Sequence, residues 1–248
     1  MAIDFNGSQY YRLGSQSLLT STPLTMACWF NADALSEEGH LISINDWSAV
    51  QLWGIGMGHA GDNSSLAAGA FGGSSWSVAT DPTTLSAGRW YHGAGVFESD
   101  DTNRSVFLDG TETTNSATQT PSNVDNLMIG SQAYNSQPRQ QFDGKIAEVG
   151  IWNVKLTPAE IAALAAGYSP LFVRPQNLVI YVPLINDNGA ELINRTSWTT
   201  ATGSAFAHPR IIYPSSQILQ FPPAAAPPAG FEPQWYRNRS AVIGAGMK

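Results

Sequence analysis

Short apolar runs recur through the first 185 residues, separated by clusters of Gly, Asn, Asp, Ser and Thr. The pattern predicts strands over Tyr10–Leu13, Leu24–Asn31, His40–Asn45, Val50–Met57, Leu66–Phe71, Trp90–Glu98, Arg104–Leu108, Asn126–Gly130, Lys145–Asn153 and Leu178–Leu184. Most of them alternate with period two, as half-buried strands do. In Lys145–Asn153 strict alternation puts Ala147, Val149 and Ile151 on one face and Ile146, Glu148 and Trp152 on the other. Asp109-Gly110 suits a tight hairpin turn that needs positive φ, and Asp143-Gly144 is read as a second turn ahead of Lys145. One helix stands out. Thr157 caps it, Pro158 takes N1, Glu160 completes a capping box, Ala159–Ala166 form the body and Gly167 stops it. A lone short helix among many strands indicates an all-β, two-sheet antiparallel sandwich.

Charge adds a division. The chain of 248 residues has a net charge of −7, and only 12% of its residues are charged. Residues 1–172 hold 16 Asp and Glu against 6 Lys and Arg, whereas residues 173–248 hold 3 against 6. Five prolines precede Pro170 and ten lie from Pro170 onward. The reading is therefore a sandwich over residues 1–185 and an extended, basic, proline-punctuated arm over 186–248. An acidic surface poor in Lys and Arg argues against a nucleic-acid partner. No apolar run is long enough for a spanning helix, so no membrane insertion is expected. The start, Met1-Ala-Ile-Asp-Phe5, shows no signal-peptide pattern, and the single cysteine, Cys28, allows no internal disulfide.

Several stretches resemble the laminin-G-type jelly rolls of the concanavalin A-like lectins and glucanases. Trp90-Tyr-His-Gly-Ala-Gly-Val-Phe97 is similar to their W-x-H-x-A-x-V-F strand, and Arg104-Ser-Val-Phe-Leu-Asp-Gly110 to the next strand and turn. Asn126-Leu-Met-Ile-Gly130 resembles the L-x-I-G strand. The most specific stretch runs from Phe142 to Asn153 and on through Leu156-Thr-Pro-Ala-Glu-Ile161, resembling the close of these domains. Ile3-Asp-Phe-Asn-Gly7 resembles the opening strand, with Asn6 where Asp is usual. The resemblance implies a concanavalin A-like jelly roll over roughly residues 1–185.

Such sandwiches host enzymes, lectins and structural modules alike. The related glucanases carry E-x-D-x-x-E on one strand, and retaining hydrolysis needs two carboxyl groups about 5 Å apart. Glu148 is the only acid in its strand, and no such triplet occurs, so no catalytic residue is assigned and no enzyme is expected. The pairs Glu37-Glu38 and Asp100-Asp101 read as solvated loop acids. His40, His59, His92 and His208 lack metal-ligand spacing, and His92 reads as a core or sheet-face histidine with a hydrogen-bond partner. No metal site and no cofactor are assigned; a structural calcium stays open as an alternative, with no D-x-D-x-D cluster in its support. The candidate carbohydrate-stacking aromatics are Trp47, Trp53, Trp76 and Tyr134.

The arm carries Phe221-Pro-Pro-Ala-Ala-Ala-Pro-Pro-Ala-Gly-Phe231, which favours polyproline II, then an aromatic, basic end. The closing W-x-x-R-x-R-x-x-I-G-A-G pattern is similar to the ends of laminin-G-like proteins among bacteriophage and prophage structural genes. That resemblance implies a non-enzymatic virion protein, a capsid decoration or tail component displaying the jelly roll for stabilisation or host-glycan adhesion. Its partners would be other virion subunits, further copies of itself and a cell-surface glycan. Anchors of the arm would be Arg210, Phe221, Phe231, Trp235, Tyr236, Arg237 and Arg239. The alternatives are a free carbohydrate-binding lectin module and, third, a divergent glycoside hydrolase.

Overall fold

The computed structural model describes residues 2–35, 38–58, 64–98, 103–185, 192–193, 199–200 and 204–214. The strands, in chain order, are β1 (Ala2–Asn6), β2 (Tyr11–Leu13), β3 (Leu24–Ala32), β4 (Gly39–Asn45), β5 (Leu52–Met57) and β6 (Leu66–Phe71). They continue with β7 (Trp76–Thr80), β8 (Tyr91–Phe97), β9 (Arg104–Leu108), β10 (Thr111–Asn115), β11 (Asn126–Ile129) and β12 (Gln132–Tyr134). The last are β13 (Gln137–Arg139), β14 (Asp143–Trp152), β15 (Leu178–Val182), β16 (Thr199–Thr200) and β17 (Ser204–Phe206). One helix, α1 (Pro158–Ala165), and a 3-10 turn, Pro170–Phe172, follow β14.

Two antiparallel sheets stack as a jelly-roll sandwich. One has eight strands, ordered β10-β9-β8-β3-β14-β1-β17, with β15 also pairing β14; the other has seven, ordered β16-β2-β11-β4-β5-β6-β7. Alternate residues of both sheets fill the space between them: Met26, Cys28 and Phe30 of β3 meet Ile42, Ile44, Trp53, Ile55, Leu127 and Ile129. A second apolar cluster lies on the outer face of the eight-stranded sheet. There Val96, Phe107, Trp152 and Tyr181 pack with Ile161 and Leu164 of α1. The helix begins as its sequence dictates, with Thr157 accepting from Glu160 N and Glu160 Oε2 accepting from Thr157 N at 2.7 Å. Asp109 and Gly110 take φ of 48° and 86°, the turn that joins β9 to β10.

Two expectations need correction. Asp143-Gly144 is not a turn; it opens β14, pairing with Asn6 and Phe5 of β1. Gly144 is needed there because its φ is +142° and a Cβ would collide with the carbonyl oxygen of Asn31. Nor does β14 alternate strictly. Ala147 pairs with Trp29 and Gly150 with Ala27, so three steps on β14 match two on β3. The bulged residue is Glu148, with φ of 57°. The bulge changes the phase, so Ile146, Val149 and Ile151 all face the inter-sheet core, while Trp152 packs on the helix side.

Glu148 is only 3% exposed. Its Oε2 accepts from Tyr181 OH at 2.7 Å and its Oε1 from Tyr213 OH at 2.6 Å. Tyr213 belongs to the segment beyond residue 185, which adds to the sandwich. β16 pairs with β2, and β17 covers the edge of β1 with Ala2 opposite Phe206 and Asp4 opposite Ser204. Ile212 N donates to Gly167 O at 2.8 Å, and Ser169 N donates to Ile212 O at 3.0 Å. The compact unit therefore runs through Tyr213, past the expected boundary at residue 185.

Burial pushes the Glu148 carboxyl above its ordinary 4.5, the largest influence, and the two tyrosine hydroxyls pull it partly back. A carboxyl raised in the folded state binds its proton more tightly there than in the unfolded chain. It therefore favours folding at low pH, a contribution lost as pH rises above about 4.5. Urea unfolding across this range should show a smaller fall in stability with rising pH for Glu148→Gln than for the parent.

Candidate functional site

The end of the sandwich holds a polar cavity of about 270 Å³, walled by Asn6, Gly7, Glu38, Gly39, Gln141 and Asp143, with Ala34 and Met57. Strand pairing assembles it from segments far apart in sequence. Asn6 at the end of β1 sits opposite Asp143 at the start of β14, and Gly39 of β4 sits opposite Met57 of β5. Gln141 is brought in by a bridge to His40, supported by His40 N donating to Gln140 O at 3.0 Å. Gly7 turns the chain with φ of +72°, and its N–H donates to Phe142 O at 3.3 Å. The cavity opens onto a shallower depression where Arg139 and Gln140 join Gly7, Glu38 and Gln141.

The polar groups are a mixed set of donors and acceptors. Asn6 Oδ1 accepts from Ser8 Oγ at 2.6 Å, which leaves the amide nitrogen of Asn6 as the group available to a ligand. Partial burial raises the Glu38 carboxyl. Beside the cavity, Lys145 Nζ is paired with Asp33 and lies 3.9 Å from Asp4. Asp4 is raised, first by burial; Lys145 lowers it, and the negative charges of Asp33 and Asp143 raise it. The sequence offered little sign of this site. Glu38 read as a solvated loop acid and Asp143 as a turn residue, and only the pairing of β1 with β14 puts Asp143 beside Asn6.

The four aromatic candidates do not converge. Trp53 is 2% exposed and faces the inter-sheet core with Ile55 and Met57, so its ring offers no face to a sugar. Trp47 is half-buried under the Arg12 guanidinium, 3.4 Å from its ring centre. Ser136 N donates to Trp47 O at 2.8 Å, which ties Trp47 to the β12–β13 hairpin that carries Tyr134, 41% exposed. Trp76 is 39% exposed and lies beside Phe71, with ring centres 5.2 Å apart. It stands on β7, five strand positions from β2 with its Arg12, or about 24 Å at the usual strand spacing.

The outer face of the seven-stranded sheet is largely occupied by the protein's own groups. His40 fills the space above Gly54, and the six-membered ring of Trp76 fills that above Gly69. Ser43 Oγ donates to Ser131 O at 2.8 Å, fastening the chain that leads into β12 over β4. Of the expected arm anchors, Arg210 is exposed on the segment that runs to Tyr213. Phe221, Phe231, Trp235, Tyr236, Arg237 and Arg239 lie outside the described residues.

On the opposite sheet a space of about 10 Å³ is lined by Trp29, His92, Glu148, Leu164 and Tyr168, with Ala27 and Pro170. Glu148 is its one carboxylate. His92 is buried, with its ring against Trp29 at 5.4 Å, and burial lowers it to about 3, which keeps it neutral. Its Nδ1 has no hydrogen-bond partner. Among the described residues no group of three or more His, Cys, Asp or Glu is placed to hold a metal ion, and no helix is long and apolar enough to cross a membrane.

Residues 5–162 match the family described as the concanavalin A-like lectin/glucanases superfamily. The chain belongs to that superfamily. No curated protein matches it. Among solved structures, this superfamily member is similar to a heptameric SAP-like pentraxin from Limulus polyphemus, with TM-score 0.57 and 17% identity over 82% of this chain and 92% of that one. It is similar to a putative carbohydrate binding protein from Bacteroides ovatus, with TM-score 0.56 and 17% identity, covering 82% of this chain and 60% of the other. A third is the CBM40 of the Ruminococcus gnavus IT-sialidase bound to α2,3 sialyllactose, with TM-score 0.55 and 14% identity, covering 66% and 96%. At these identities the likeness establishes the concanavalin A-like fold.

A buried and an exposed tryptophan among the candidates, Trp53 and Trp76, should separate in unfolding experiments. Trp53→Ala should cost roughly 3–5 kcal/mol of stability, as large-to-small changes in a packed core do. Trp76→Ala, at an exposed sheet edge, should cost under about 1 kcal/mol.

Proposed function

We propose that the protein is a carbohydrate-binding module of the lectin type, without hydrolytic activity, and that it holds a sugar ring in the polar cavity at the end of the sandwich. The observation that carries this reading is the wall itself. Asn6, Glu38, Gln141 and Asp143 surround about 270 Å³, with glycines at positions 7 and 39 giving backbone edges room to approach. Amides and carboxylates together match the alternating donor and acceptor character of sugar hydroxyls. The volume lies just under the roughly 300–1,000 Å³ of drug-sized ligand sites and suits one ring, and the adjoining depression of about 470 Å³ gives room for the rest of a glycan. The solved structures of similar fold include a putative carbohydrate binding protein and a module bound to sialyllactose, which supports the same class.

The non-enzymatic part of the reading rests on the missing E-x-D-x-x-E triplet and on Glu148. The cavity's own carboxyls, Glu38 and Asp143, come from the loop before β4 and the first position of β14, not from alternate positions of one strand. Hydrolysis with retention needs a second carboxyl about 5 Å away. Glu148 instead spends both oxygens on Tyr181 and Tyr213, in a space too small for a sugar. Trp76 and Tyr134 keep exposed ring area and would serve as separate platforms for longer glycans. A glycan array probed with the full chain should give a defined set of positives. Gln141→Ala and Asn6→Ala should each weaken the best of them about tenfold, the worth of one good hydrogen bond to a ligand. Unchanged binding by both variants would exclude the cavity.

A second reading concerns where the module is held. The basic excess of residues 173–248, the acidic excess of residues 1–172 and the phage-like closing pattern favour a particle-bound protein whose arm docks on a neighbouring subunit. On this reading the arm residues Phe221, Phe231, Trp235, Tyr236, Arg237 and Arg239 are the anchors. Deleting residues 221–248 should then abolish incorporation into virions while leaving the sandwich folded; normal incorporation would refute the virion anchor.

A further inference from the structure

We propose that the cavity selects sugars bearing a free amine, hexosamines of the glucosamine type, over N-acetylated and acidic sugars. This rests on the glycan-binding reading above and adds the chemical class of the ligand. The argument is one of charge and its neutralisation. Glu38 and Asp143 both line the cavity, and among the described residues no cationic side chain lines it. The Lys145 ammonium, on β14 two residues from Asp143, is already committed to Asp33, with Asp4 at 3.9 Å. Arg139 stands only at the outer depression. Among the described residues neither Glu38 nor Asp143 has an ion-pair partner.

A protonated sugar amine fits this environment. It brings one compact positive charge and three donors to two acceptor-only carboxylates, and charge-assisted hydrogen bonds are the strong ones. Asn6 and Gln141 remain for the neighbouring hydroxyls. N-Acetylation removes the charge, and a sialic or uronic carboxylate would face like charge, which suppresses binding. A metal ion is the poorer fit, because calcium wants six to eight convergent oxygens, and no described acidic group is arranged to share a metal.

The experiment is calorimetric titration of the full chain at about pH 6.5, below the usual range of an amine, so that the sugar carries its proton. The probes are the β1,4-linked glucosamine tetramer, its fully N-acetylated counterpart and α2,3-sialyllactose, each with calcium and with chelator. The expected result is at least tenfold tighter binding of the amine form, weakened by salt and indifferent to calcium. Glu38→Gln and Asp143→Asn, both near-isosteric, should bring its affinity down to that of the acetylated form while melting like the parent. Equal binding of the two tetramers, preference for sialyllactose, dependence on calcium, or amine binding untouched by both substitutions would each overturn the proposal. If neutral sugars bind and Gln141→Ala abolishes that binding, the glycan-binding reading stands and amine selection alone falls. If no sugar binds, both fall.

Discussion

The architecture depends on β14. It is the one strand bonded to β3 along its length, to β1 over its first half and to β15 over its second. Two local features make that triple pairing workable. Gly144 lets the strand approach the backbone of Asn31 where a side chain would collide. The bulge at Glu148 then turns the strand so that Val149 and Ile151 stay in the core that Ile146 entered. Without the bulge, β14 would carry its later apolar residues to the helix side and expose Glu148 to the core, at a large desolvation cost. The bulge sends the carboxyl outward instead, where Tyr181 and Tyr213 satisfy both oxygens.

Seen this way, the segment that ends at Tyr213 is part of the sandwich's own chemistry. β17 covers the edge of β1, which would otherwise present unpaired backbone groups. Ile212 exchanges backbone hydrogen bonds with Gly167 and Ser169 just beyond α1. Gly167 thus does two jobs: it ends the helix with φ of +93°, and lacking a side chain it admits the backbone of Arg210. The helix stop was legible from its composition alone, but its second role was not.

Much of the fold could be read from local pattern because local physics decides it. The capping box at Thr157 and the Asp109-Gly110 turn are short-range devices, and both are present where the sequence places them. The orientation of Trp53 was also within reach. In Trp53-Gly-Ile-Gly-Met57 the alternation groups Trp53 with Ile55 and Met57, on the face the core needs. The phase change in β14 was not legible, since a bulge at a glutamate leaves no mark in a period-two pattern. The cavity was hidden for a different reason. Its walls come from β1, the loop before β4, and the approach to β14, and long-range pairing brings them together.

The placement of the cavity also bears on what kind of glycan contact the fold can make. A long polysaccharide is best held across an open sheet face, where successive rings find successive strands. Here that face is crossed by His40 above Gly54, by Trp76 above Gly69 and by the chain leading into β12 over β4. On the proposed reading the ligand sits instead at the end of the sandwich, in the cavity where backbone turns and side-chain ends meet. Recognition at an end rewards a distinctive group on that ring more than length of chain. Charge is the most distinctive group a sugar can carry, and Glu38 and Asp143 line this end while Lys145 is already paired with Asp33. On the proposed reading, fold and electrostatics converge on selection by the substituents of a sugar rather than by chain length.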